Sequence, residues 1–148
     1  IEVQVGQGSE AYREIKQKVL IQDALNLVEV ENIIQKHGYP GKSLVSTDFN
    51  EVVLWVIHHA TSHEVQDKYL ALLYEAAQKK ELNVEAFKLF LDTIHLSKFG
   101  TQLYGTQSQY NKTTRSYEPS PIEQPEKFEE RFANLNAGVI DLGRLKFQ

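Results

Sequence analysis

The chain has 148 residues, the size of one domain, with 41% apolar and 24% charged side chains, which excludes a disordered chain and predicts a single buried core. The net charge of −4, with no run of Lys and Arg interleaved with aromatic residues, excludes the electrostatic footprint of a nucleic-acid binder. The absence of cysteine excludes disulfides, thiolate catalysis, zinc ribbons and iron–sulfur clusters and leaves the compartment, cytoplasmic or exported, open.

The sequence starts at Ile1 and holds no Met, so the expected start is a processed or excised end from which any signal peptide has gone. Residues 1–8 read as an extended arm. Ser9 can cap a helix in which Tyr12, Ile15, Val19 and Leu20 recur at three- and four-residue spacing, and a second apolar run follows through Leu25, Val28, Ile33 and Ile34. The segment His37-Gly38-Tyr39-Pro40-Gly41 stops it, since Gly supplies a left-handed cap and the residue before Pro is pushed out of helical geometry. Asp48 and Glu51 form a capping pair ahead of Val52, Val53, Trp55, Val56 and Ile57, which predicts the central, most buried helix. That stretch is the longest apolar one and far short of the roughly 20 residues a membrane span needs.

Thr61-Ser62-His63-Glu64 reads as a capping box for a helix with Val65, Tyr69, Leu72, Leu73 and Ala76 on its apolar face. Asn83 can cap the next, in which Phe87, Phe90, Leu91 and Ile94 form a stripe ending at Gly100. Residues 101–120 are rich in Gln, Thr, Tyr, Asn and Gly and predict a polar loop with room for a short hairpin. Pro125 suits the first turn of a short helix through Phe128, Phe132 and Leu135, ended by Gly138, and residues 139–148 read as a strand or an extended arm. The expectation is a mainly α, single compact domain of about five to six helices spanning residues 1–148, with a polar loop after residue 100 and a short C-terminal helix.

His58, His59 and His63 could suggest a metal site, but the capping box breaks the helix between His59 and His63 and the tetrahedral ligand count is unfilled, so no metal is expected. No glycine-rich phosphate loop, nucleophile elbow or dinucleotide fingerprint occurs, and no cofactor is expected. His95, three residues after Asp92, reads as half of a surface pair, while Asp92, on the apolar stripe near a helix end, calls for a specific partner. Gln102-Leu103-Tyr104-Gly105-Thr106-Gln107 gathers neutral hydrogen-bonding groups around a flexible glycine, which can bind a polar ligand or satisfy buried backbone.

The chain resembles a bacterial family known only as a domain of unknown function, found in soluble and exported proteins. The resemblance is carried by Asp23, Asn26, Ile33-Ile34, His37-Gly38-Tyr39-Pro40, Ser43-Leu44-Val45, His59-Ala60, Gln66, Leu91-Asp92, the Gly100-x-Gln102-x-Tyr104-Gly105-Thr106-Gln107 segment, Pro121-Ile122 and Arg131, spanning residues 23–131. It implies no activity. Where the family pattern has Gln before the His, an acidic residue after it and Arg after the Asp, this chain has His58, Thr61 and Thr93. The resemblance groups His59, Gln66, Asp92, Gln102, Tyr104 and Gln107.

Three readings follow. A helical domain binding a small polar ligand or a protein would use Gln66, Gln102, Tyr104, Thr106 and Gln107. A hydrolase- or transferase-like enzyme would use His59 as general base with Asp92 orienting it, and Tyr104 or Gln107 stabilising developing charge. A structural polar network would bond the same groups to one another and to the backbone.

Overall fold

The computed structural model describes residues 8–147. These residues are mainly helical: α1 (Glu10–His37), α2 (Lys42–Val45), α3 (Val52–His59), α4 (His63–Gln78), α5 (Val84–Phe99) and α6 (Phe128–Asn136), with a hairpin of β1 (Ser108–Asn111) and β2 (Ser116–Pro119). The extended arm expected over residues 1–8 falls, save Gly8, outside the described residues.

The caps follow the sequence closely. Ser9 Oγ accepts from the Tyr12 N–H at 3.1 Å, and Asn83 Oδ1 accepts from the Glu85 N–H at 3.0 Å. Gly100 ends α5 in the left-handed region. At α4 the cap is Ser62, whose Oγ accepts from Glu64 N–H, one residue later than the Thr61 box predicts. At α3 neither Asp48 nor Glu51 caps through its side chain; a Glu51 carboxylate oxygen instead accepts from the Trp55 indole N–H at 3.3 Å.

Two expectations about burial are corrected. The two N-terminal apolar runs form one continuous 28-residue helix in which only Val30 is buried. The most buried helix is α5, with Ala86, Phe87, Phe90, Leu91 and Ile94 in the core beside the polar Lys88, Asp92 and His95, whereas in α3 only Val53, Leu54 and Ile57 are buried and Val52 is half exposed. The all-apolar look of α3 reflects its brevity. Eight residues make about two turns, too few for a polar outer face to show in the sequence.

The core is closed by α4 against α5, by α3 across both, and by residues 139–147, which run as an irregular arm that buries Ile140 and Leu145. Buried Lys88 reaches a Glu85 carboxylate oxygen at 2.6 Å and lies 5.0 Å from the Phe132 ring centre, which holds α6 on α5.

The turn after α1 is locked to the α4–α5 connection. Lys42 N–H donates to the Glu81 carbonyl at 2.9 Å, and Ser43 N–H and hydroxyl both donate to the Glu81 carboxylate at 2.8 and 2.9 Å. The chain passes so close that a Cβ on Gly41 would stand 2.5 Å from Glu81 Cβ and 3.1 Å from its carbonyl oxygen. Gly41→Ala is therefore expected to cost about 2 kcal/mol in urea unfolding, from overpacking at a position whose neighbour includes backbone; a change below about 0.5 kcal/mol would show that the approach is not structural.

Candidate functional site

Asp92 projects from α5 into the interior and is completely buried. One carboxylate oxygen accepts from the backbone N–H groups of Leu103 (2.7 Å) and Tyr104 (2.9 Å); the other accepts from the N–H (2.8 Å) and hydroxyl (2.9 Å) of Thr106. Gly105, at φ +76°, turns the chain back so that Thr106 reaches the carboxylate already held by residues 103 and 104. Four donors fill the group, so the loop wraps the carboxylate as a shell.

The rest of the 102–107 segment closes the same structure. The fully buried Gln102 amide donates to the carbonyls of Gln107 (2.9 Å) and Ser120 (2.7 Å) and accepts from Gln107 N–H (2.7 Å), clamping the base of the β1–β2 hairpin. Its backbone N–H and carbonyl bond to Pro121 and Glu123. Gln107 donates to the Thr93 hydroxyl at 3.1 Å. Tyr104 donates its hydroxyl proton to the Asp141 carbonyl and accepts from the Asp141 N–H at 2.8 Å, and burial pushes the phenol up to about 12. Buried Arg131 bonds the Asp141 carboxylate at 2.8 Å and the Glu123 carbonyl.

His95 is not on the surface and does not pair with Asp92. It is fully buried, with Nδ1 2.8 Å from the Thr101 carbonyl and Nε2 2.7 Å from a Glu123 carboxylate oxygen, which Arg144 also contacts at 3.2 Å. A carbonyl can only accept, so Nδ1 carries a proton.

His59 lies apart from all of this. It is exposed at the C-terminus of α3 and lines a shallow depression of about 180 Å³ with Leu20, Asp23, Thr61 and Val65. None of the four donors to Asp92 is His59, so the two residues proposed as base and orienting acid are not brought together by a direct hydrogen bond. Gln66, also grouped with them in the sequence, is buried and donates to the carbonyls of His58 (3.1 Å) and Ala60 (3.5 Å), closing the C-terminal end of α3. With its NH₂ so fixed, its carbonyl oxygen faces His63 Nδ1 at 3.0 Å; the imidazole is then protonated there, leaving Nε2 to accept from the Ser97 hydroxyl at 3.1 Å. The Gln66–His63–Ser97 series escaped sequence reasoning because Ser97 comes from another helix. Its one legible part was the i, i+3 spacing of His63 and Gln66.

A different feature is the set of bare aliphatic side chains on α1. Ile15, Val19, Leu20, Ile21, Leu25 and Val28 are 43–57% exposed and Ile33 is 39% exposed. The helix is about 42 Å long, while α3, against which its backbone packs, covers about 12 Å. The apolar periodicity that predicted core positions in α1 is real, but the bundle is too short to cover it. Among the described residues no group of three or more His, Asp or Glu could hold a metal ion, and no helix is long and apolar enough to cross a membrane.

No family model, characterised protein or solved structure matches the chain, so the family resemblance rests only on the residues that carry it.

Asp92→Asn would turn an NH₂ group toward donors in a fully buried site, and is expected to cost about 3 kcal/mol in urea unfolding; a loss under about 1 kcal/mol would contradict its role as the loop's anchor. Asp141 supplies a pH test. Burial opposes its charge, but the Gly143 N–H and the Arg131 guanidinium outweigh it and hold the carboxyl below its usual range. A carboxyl that titrates lower in the folded than in the unfolded chain stabilises above about pH 4 and ceases to as the pH falls through its folded value. The gap in thermal midpoint between the parent and Asp141→Asn should therefore close below about pH 4, and a gap constant from pH 7 to pH 2.5 would refute the assignment.

Proposed function

We propose that this chain is a protein-binding helical domain whose docking element is α1. The observation that carries this reading is the seven large aliphatic side chains between Ile15 and Ile33, each 39–57% exposed, of which Ile21, Leu25 and Val28 share one face, on a helix that extends well beyond the bundle. An isolated helix gains most of its stability by packing an apolar face, so such a helix is stabilised by a partner. In this reading the 102–107 loop is scaffold. Gln102, Tyr104, Thr106 and Gln107 already bond to Asp92, to Thr93, to Asp141 and to one another, which supports the structural-network reading for these residues over ligand binding.

The docking reading separates stability from surface chemistry. In the dilute protein, Ile21→Ser combined with Leu25→Ser is expected to shift the thermal midpoint by no more than about 2 °C, as for exposed positions. A fall of more than about 6 °C would mean that these side chains hold the fold and would overturn the reading.

The Gln66–His63–Ser97 series supports a second, hydrolytic reading. A base held in one tautomer by a fixed amide, within hydrogen-bond distance of a hydroxyl, is the arrangement that activates a serine nucleophile. Ser97 Oγ would attack an ester carbonyl as its proton passes to His63 Nε2 and on to the leaving alkoxide, and water would then release the acid. Turnover of p-nitrophenyl acetate above buffer that is lost in both Ser97→Ala and His63→Ala supports it; equal rates in the variants exclude it.

A further inference from the structure

We infer that the cavity where the α2–α3 link meets the α4–α5 connection is a binding site for a small aliphatic α-amino acid, held as its zwitterion. The site is separate from α1 and from the Ser97 hydroxyl, neither of which contributes to the cavity wall.

The first argument is charge. The cavity measures about 380 Å³, at the small end of the range of ligand sites. Lys42 and Lys80, both exposed, bring two ammonium groups to its wall and Glu51 brings a carboxylate. Among the described residues none of these three is in an ion pair. Opposite charges that line one cavity without closing on each other suit a molecule that carries both. The 16-residue α5 also begins at this cavity, through its cap Asn83 and first residue Val84, so the positive end of its dipole adds to the two lysines in favouring a carboxylate.

The second argument is an unpaired acceptor. Asn50, only 4% exposed, lines the same cavity. Its Nδ2 donates to the Glu81 carbonyl at 3.1 Å and its backbone carbonyl accepts from the Tyr39 hydroxyl, whereas Oδ1 is buried with no hydrogen-bond partner. Exchanging the two amide atoms would set an oxygen against the Glu81 carbonyl, so the unpaired atom is the acceptor. A buried acceptor calls for a donor. Glu51 calls for one too, since its carboxylate accepts only from the Trp55 indole among the described residues, at 3.3 Å. An ammonium group offers three donors and a positive charge, which serves the amide oxygen and the carboxylate together.

The third argument is the remaining wall. Ala77, Leu82 and Val84 are apolar, so the substituent between the ligand's two charged groups is aliphatic.

Trp55 is the one tryptophan of the chain and bonds to Glu51, so its emission reports on the site, with calorimetry as a second readout. L-Leucine is expected to bind saturably with a dissociation constant below about 1 mM. 4-Methylpentanoate, which lacks the ammonium group, and 3-methylbutylamine, which lacks the carboxylate, should each bind at least ~10-fold more weakly. Lys42→Gln combined with Lys80→Asn should weaken leucine at least ~10-fold with an unchanged thermal midpoint, because both positions are exposed and Asn accepts the φ of +60° at position 80. Glu51→Gln should weaken leucine and not 4-methylpentanoate. Three results overturn the inference: neither heat nor an emission change with leucine, valine or alanine up to about 10 mM, 4-methylpentanoate binding as tightly as leucine, or equal leucine affinity in the parent and the double lysine variant.

Discussion

The buried carboxylate of Asp92 is the interaction on which the second half of the structure depends. A charge-bearing group with no contact to water is tolerable only if its hydrogen-bonding capacity is filled, and here three backbone N–H groups and a hydroxyl of one short loop fill it. Three of these bonds solve the converse problem, because residues 103, 104 and 106 have no helix or sheet partner to satisfy their own N–H groups. From that fixed loop the remaining order propagates. Gln102 clamps the hairpin, Tyr104 holds the C-terminal arm at Asp141, and Arg131 ties that arm to Glu123.

This organisation gives the domain two ends of different character. Around α5, Asp92, His95, Gln102 and Arg131 are buried and hydrogen-bonded, as in a rigid scaffold. Around α1 the apolar groups are bare, because a helix of seven to eight turns rests on one of about two. A loop rich in Gln, Tyr and Thr would ordinarily suggest a ligand site and an apolar helix a core element; here the loop's polar groups bond to Asp92 and to one another, and the helix leaves its aliphatic side chains exposed. The Gln66–His63–Ser97 series sits between these regions, with Gln66 itself committed to closing α3.

Much of the helical framework was legible in the sequence because its signals are local. Ser9, Asn83 and Gly100 act within a few residues of where they stand, so the starts of α1 and α5 and the end of α5 could be read directly. Burial was less legible, since it depends on what lies across a face: Ile15 to Val28 carry a core-like period in a helix the bundle cannot cover, and Val52 to Ile57 look uniformly apolar in a helix exposed on one side. Asp92 announced itself as needing a partner, but its partners could not be read because they depend on how Gly105 folds the loop back. His95 reads as a surface residue from its spacing to Asp92 and is buried because Glu123 and the arm beyond Gly138 return over it, a contact of long sequence separation.

The contrast between a hydrogen-bonded interior and an uncovered helix is tested most directly by amide hydrogen exchange of the protein at about 1 μM. The account predicts that the amides of Leu103, Tyr104 and Thr106 exchange as slowly as those of the middle of α5, while those of the first four turns of α1 exchange orders of magnitude faster. Loop amides that exchange as fast as the hairpin tip, or α1 amides as protected as the core, would contradict it.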